Sequence, residues 1–78
     1  MADRATWYAF LKSLRAEQEE LRTELERYEA GGMRVGTRPY GGEWRDTTDE
    51  TIASIKREIA SLQRTIDNVI AEQGMSDA

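Results

Sequence analysis

The distribution of glycine and proline constrains this chain more than any other feature. Five of the six glycines and the only proline fall between Gly31 and Asp46, and the long segments on either side contain neither residue. Because glycine and proline interrupt helices, the chain divides into two helix-compatible segments and a central insert. We predict one domain with helices over residues 4–30 and 48–73, a connector over 31–46 and a frayed tail over 74–78.

Both long segments carry a heptad pattern, in which apolar residues are spaced alternately by three and four positions. This spacing places the side chains on one face of each helix. It predicts an all-α fold, an antiparallel two-helix coiled-coil hairpin whose facing residue numbers sum to about 80. The first seam is Trp7, Leu11, Leu14, Gln18, Leu21, Leu25 and Tyr28, and the second is Ile52, Ile55, Ile59, Leu62, Ile66, Val69 and Gln73.

The ends of the helices are also marked in the sequence. Thr47 and Thr48 place a hydroxyl at the start of the second helix, and Glu50 adds a carboxylate three residues after Thr47, as in a capping box. Gly31 and Gly74 follow the two helical segments and supply the left-handed residue that commonly ends a helix. We therefore expect the second helix to begin near Thr48.

The connector has 16 residues, which is long for two antiparallel helices. Residues 33–38 alternate in character, residues 39–42 are typical of a turn, and residues 43–46 can return as a second strand. Gly36 and Pro39 weaken this interpretation. The sequence leaves open a short β-hairpin at the tip or an irregular loop.

Composition excludes several chemistries. The chain has no cysteine and no histidine, so it offers no disulfide, no thiolate or histidine zinc site and no histidine-based catalytic pair. The abundant glutamates lack the enclosed pocket that catalytic carboxylates need, and we assign them to solvated faces. We predict a protein that is not an enzyme and uses no metal or cofactor. With 78 residues the core is thin, and we expect partner chains to stabilise it.

Two groups of residues are candidate protein contacts. At the open end of the hairpin, aromatic and apolar residues on and beside the seam give more apolar surface than two helices can cover, unless they wrap that end as a local core. The connector is basic within an acidic chain, at +1 against −5 for the rest, and sets aromatic residues among arginines, the residue types that dominate interfaces. The open-end group is Trp7, Tyr8, Phe10 and Ile70; the connector group is Arg34, Arg38, Tyr40, Trp44 and Arg45.

Two alternatives stay open for the connector group. Bases could stack on Tyr40 and Trp44 beside the arginines, or the connector could pack on its own helix ends. A net charge of −4 and only three connector arginines argue against direct nucleic-acid binding. We therefore favour a protein interface.

The flanks of the two seams differ in charge sign, which favours side-by-side packing of copies and a homo-oligomer. In the predicted hairpin Arg22 faces Lys56, and Glu24 faces Glu58, so neither pairing helps a single copy. Gln18 is the polar interruption of the first seam; it either fixes the helix register or is solvated. The basic flank is Arg15, Arg22 and Lys56, and the acidic flank is Glu17, Glu24, Glu58 and Glu72.

The central half of the chain resembles the small phage head-completion proteins of the lambda gpW type, which join the packaged head to the tail. The resemblance is carried by Ala30-Gly31-Gly32-Met33-Arg34-Val35, a glycine turn, and Thr47-Thr48 leading into Ile52, Ile55, Ile59 and Leu62. It implies a ring below the portal, contacts to portal subunits, ring neighbours and the next neck component, and no catalysis. By position, Arg34, Val35, Tyr40 and Trp44 would belong to the hairpin.

These observations predict a non-enzymatic assembly or adaptor protein acting through protein contacts, and the resemblance adds a role as a head–tail connector component. Two alternatives are a small acidic phage-type inhibitor that occupies a nucleic-acid-binding groove on a target protein, and a simple coiled-coil oligomerisation module. The first residues lack the regions of a signal peptide, and no apolar run approaches the roughly 20 residues that span a bilayer. We therefore expect a cytoplasmic or virion location and no membrane contact.

Overall fold

The computed structural model describes residues 3–74 and confirms the helical hairpin. Helix α1 spans Arg4–Glu29, strand β1 Gly36–Thr37, strand β2 Arg45–Asp46 and helix α2 Thr48–Gln73. The helices pack against each other, and the two strands pair antiparallel between them in sequence. The radius of gyration is 17.2 Å, against about 11.5 Å for a compact domain of this length. The molecule is therefore a rod with a small ribbon at one end. The predicted tail beyond Gly74 lies outside the described residues.

Helix α1 begins and ends with side-chain and backbone caps. The Asp3 carboxylate accepts hydrogen bonds from the Thr6 amide (2.8 Å) and hydroxyl (2.9 Å), and both bonds lower the pKa of Asp3. At the other end Ala30 is the C-cap, one residue beyond the last helical position, and Gly31 has a φ of 79°. The predicted glycine stop is confirmed, since left-handed backbone there costs glycine nothing.

The predicted capping box at α2 is wrong. Thr47 occupies the N-cap position, but its side chain makes no capping bond. Asp46 supplies the cap instead, because its Oδ1 accepts hydrogen bonds from the Thr48 amide (2.9 Å) and the Thr48 hydroxyl. A charged carboxylate is a stronger acceptor than a hydroxyl at the positive end of a helix. At the C-terminus Gly74 is left-handed as predicted, with a φ of 61°.

The core lies at the open end of the hairpin, away from the ribbon. It is a cluster of four buried side chains, with Leu62 and two residues of the predicted open-end contact group packed against it. A second buried group, Tyr28, Thr48 and Ile55, lies near the ribbon, while most seam residues between the two are half-buried. The seam side chains are therefore most buried toward the two ends of the hairpin and less buried in the middle. The four core residues are Leu11, Leu14, Ile66 and Val69.

Gln18 is the polar exception in the middle of the seam. It is 3% exposed, so the solvated alternative is wrong. Its Nε2 donates to the Ile59 carbonyl (3.2 Å) and to Gln63 Oε1 (3.0 Å), and Gln63 in turn donates to Asp67 (3.0 Å). Because these bonds exist at only one alignment of the helices, a slip by one turn would leave a buried amide unpaired. Gln18 thus favours a single register.

Candidate protein interface at the connector and the open end

The connector is an ordered ribbon fastened to the first turn of α2. Gly36 pairs with Asp46, and Thr37 pairs with Arg45. The Val35 carbonyl accepts a hydrogen bond from the Thr47 amide (2.9 Å), which extends the pairing by one bond. Of the two alternatives left open by the sequence, the β-hairpin is therefore the one adopted, although each strand has only two residues.

Asp46 joins three parts of the connector. Besides capping α2, its Oδ2 accepts a hydrogen bond from Arg34 Nε (2.8 Å) and from the Nη2 of the same guanidinium. Bonds from Thr48 and then from Arg34 stabilise the carboxylate and lower the pKa of Asp46 to about 2. The same pair raises the pKa of Arg34. One ionised carboxylate at the end of β2 thus bonds both to the segment before β1 and to the start of α2.

The charges of the three connector arginines are used differently. Arg34 pairs with Asp46, and Arg45 Nη2 lies 3.3 Å from Glu50 Oε1. Arg38 is exposed and has no ion pair or hydrogen bond to a side chain within residues 3–74. Sequence reasoning placed all five connector residues in one contact surface. The structure leaves Arg38 as the arginine whose charge is available to a partner.

The tip of the ribbon is a tight turn. The Gly42 amide donates to the Pro39 carbonyl (2.7 Å), and Gly41 has a φ of 73°, as the third residue of a type II turn requires. Tyr40 occupies the second position and is fully exposed. A glycine at position 41 therefore fixes where the Tyr40 ring is presented.

Trp44 lies across the ribbon. A Cβ atom placed on Gly36 would come within 2.4 Å of Trp44 Cζ2 and 2.3 Å of the Arg45 carbonyl oxygen. Trp44 is nonetheless 55% exposed, so the residue contacts the ribbon and still faces solvent. Gly36 counted against a strand in the sequence; here it is the residue that lets the indole approach the backbone.

The open end is only partly an exposed patch. Trp7 and Ile70 are half-buried and pack against the core. Their part in a protein contact stays a prediction. Tyr8 and Phe10 remain 38% and 42% exposed. Trp7 and Phe10 meet edge to face, with ring centroids 6.1 Å apart. A small local core thus forms at this end with two aromatic rings outside it, and a protein contact through those rings stays a prediction.

Two cations of the basic flank form ion pairs with carboxylates of the same chain. Lys56 Nζ lies 3.3 Å from Glu29 Oε2 on the other helix, and Arg22 Nη1 lies 3.9 Å from Glu19 Oε2 on its own helix. The predicted opposition of Arg22 and Lys56 is thereby relieved, since each cation has a carboxylate neighbour. These pairs are solvent-exposed and contribute little to stability.

A shallow groove runs along α1 beside the start of the connector, and no pattern in the sequence predicts it. Residues of α1 form most of its lining, and Met33 of the connector completes it. The lining includes three carboxylates and one cation. The lining residues are Ala16, Glu19, Glu20, Thr23, Glu24, Arg27 and Met33.

Within residues 3–74, no three acidic, histidine or cysteine side chains converge in a way that would hold a metal ion. In the same part of the chain, no helix is both long and apolar enough to cross a membrane. No family model, curated protein or solved structure matches this chain.

Proposed function

We propose that this protein is a non-enzymatic assembly or adaptor protein that works through protein–protein contacts. The observation that carries the proposal is the ordered tip of the ribbon, which exposes Tyr40 fully and Trp44 by half. Tryptophan, tyrosine and arginine are the residues on which protein interfaces most depend, and the tip exposes all three types.

The rigidity of the tip supports the same role. The type II turn, the strand pairs and the Asp46 bonds fix the ribbon before any partner arrives. A pre-ordered contact loses less conformational entropy on binding than a flexible loop does. The ribbon is therefore built as a binding element, whereas a plain coiled-coil module needs only a short turn at this place.

Self-association is part of the proposal. The acidic flank of one rod is complementary to the basic flank of another, so that Glu17 and Glu58 of one copy would approach Arg22 and Lys56 of the next. The half-buried seam residues between the two buried ends add apolar area that a neighbouring copy can cover.

The resemblance to head-completion proteins gives this role a concrete setting. In that setting the protein sits in the virion between head and tail, and its partners are portal subunits, neighbouring copies and the next neck protein. The order of helix, ribbon and helix supports the proposal, because that order is the part of the chain on which the resemblance rests.

The test is head–tail joining with purified components. DNA-filled heads and free tails, prepared from a lysate lacking this protein, are mixed with the wild-type chain and scored for joined particles by electron microscopy and for infectivity. We expect joining with the wild type and a loss of at least tenfold with Trp44→Ala. Arg64→Ala, at an exposed position on α2, is the matched control and should join normally.

A second variant, in which residues 31–46 are replaced by a short Gly-Ser turn, tests whether the ribbon itself is needed. If that variant joins particles as well as the wild type, the ribbon has no role and the simple coiled-coil module is the better explanation. If Trp44→Ala has no effect while reversing the exposed glutamates of α1 abolishes activity, the acidic-inhibitor hypothesis replaces the adaptor.

A further inference from the structure

We propose that the ribbon tip of one copy binds the groove along α1 of a second copy, with Arg38 and Tyr40 as the inserted residues. This inference rests on the self-association included in the proposed function, and it adds a contact between tip and groove to the side-by-side packing of the flanks. The groove is the one lined by Met33 and the carboxylate-rich face of α1.

The tip defines what its partner must offer. Arg38 carries a charge that nothing in residues 3–74 neutralises, and Tyr40, two residues on, presents a whole ring to solvent. A partner surface needs carboxylates for the guanidinium next to an apolar depression for the ring. Guanidinium and carboxylate match in geometry as well as in charge, which favours a carboxylate over other acceptors.

The groove supplies both features. Its lining includes Ala16 and Met33, and the flexible side chain of a methionine adapts to an aromatic ring. Among its carboxylates, Glu20 and Glu24 have no ion-pair partner within residues 3–74. The groove is thus mainly apolar, and its three carboxylates outnumber its one cation, Arg27, so that it complements the tip.

The occupant is a second copy, because the arginine and the ring of the tip complement the carboxylates and the apolar lining of the groove, and no tip residue lines the groove of its own chain. Tip and groove are different surfaces, so the contact is heterologous. Each copy that joins leaves one free tip and one free groove. Assembly by this contact continues past the dimer until the row of copies closes into a ring or is blocked. It weakens as salt screens the attraction between Arg38 and the glutamates of the groove.

The experiment is a charge swap followed by sedimentation velocity over a concentration series at low salt. Three variants are compared with the wild type: Arg38→Glu, the double variant Glu20→Arg with Glu24→Arg, and all three changes together. Arg64→Glu is the control, because it changes the net charge of the chain as much as Arg38→Glu does at an exposed position on α2. Circular dichroism confirms that each variant stays helical.

We expect the tip variant and the groove variant each to weaken self-association at least tenfold, and the control to match the wild type. The triple variant should recover most of the association, and an equal mixture of the tip and groove variants should associate with each other. If Arg38→Glu associates like the wild type, or if the triple variant is as weak as the singles, the inference is wrong.

A photo-crosslink gives a second, independent readout. A benzophenone amino acid at position 40, in an equal mixture of isotopically light and heavy chains, should yield mixed-mass crosslinks to Met33 or the adjacent face of α1. Crosslinks confined to one copy, or directed elsewhere, overturn the inference. A wild-type chain that stays monomeric at millimolar concentration overturns it as well. Head–tail joining by that monomer would still support the proposed adaptor role, so the two failures are distinguishable.

Discussion

Leu11→Ala tests the location of the core. Leu11 is 1% exposed and packs with Leu14, Ile66 and Val69. Truncating a buried leucine costs about 2–5 kcal/mol. The core lies between only two helices, which can close in on the space, so we expect the lower part of that range, about 2.5 kcal/mol. A chain of 78 residues has a total free energy of unfolding of about 4–12 kcal/mol.

The expected change in melting temperature follows from the unfolding entropy. At about 2.1 cal/mol/K per residue, the whole chain gains about 0.16 kcal/mol/K on unfolding, so Tm should fall by about 15 °C. The assay is thermal unfolding followed by circular dichroism at 222 nm in dilute protein. Leu25→Ala is the matched control, because Leu25 is a half-buried leucine on the same helix. Its truncation removes the same atoms but leaves a smaller cavity, and we expect about 1 kcal/mol and about 6 °C.

An equal loss of Tm for the two variants in dilute protein would refute this account of the core. The comparison also reports on association, since it can be repeated at high protein concentration. If the effect of Leu25→Ala grows with concentration while that of Leu11→Ala does not, a second copy covers the middle of the seam in solution.

Three further predictions concern the ribbon and the flanks. The pKa of Asp46 is lowered from 3.8 to about 2. Its ionised form therefore stabilises the fold above pH 4, and that contribution is lost as the pH falls from about 4 toward 2. When the free energy of unfolding is measured by urea unfolding as a function of pH, Asp46→Asn should flatten the curve in this range. Gly36→Ala should displace the indole of Trp44, because the new methyl group would lie 2.4 Å from its ring. In a Trp7→Phe background, where Trp44 is the remaining tryptophan, Gly36→Ala should shift the fluorescence emission to the red, and an unchanged spectrum would contradict the packing. Glu17→Lys with Glu58→Lys should weaken lateral association at low salt and have little effect at 0.5 M salt, where the Debye length falls to about 4 Å; equal association at low salt would exclude flank-to-flank packing.

The helices were predictable because their signals are local and repeated. Each heptad position adds to the same pattern, and glycine has a clear physical reason to follow the last helical residue. The predicted bounds of α2 match the structure, and those of α1 differ by one residue at the C-terminus. The buried cluster also follows from the pattern, since its four members are all seam residues.

The contacts of the connector were harder to predict because they depend on residues distant in sequence. Arg34 reaches the Asp46 carboxylate across 12 positions, and no local pattern pairs these two residues. From sequence alone, Gly36 argues against a strand, and only the position of Trp44 shows why a glycine is needed there. The groove depends on where Met33 folds after the chain has left α1, and no periodicity reports that.

The way the ribbon is attached decides where a mechanical load on it would go. On the α2 side, the ribbon is bonded through Val35, Thr47, Thr48 and Asp46 to the first helical turn. On the α1 side, the chain leaves through two glycines, whose amides bond back to α1 itself. A pull on the tip would therefore reach α2 first, through these bonds, and would pass to α1 through the two glycines and the packed seam.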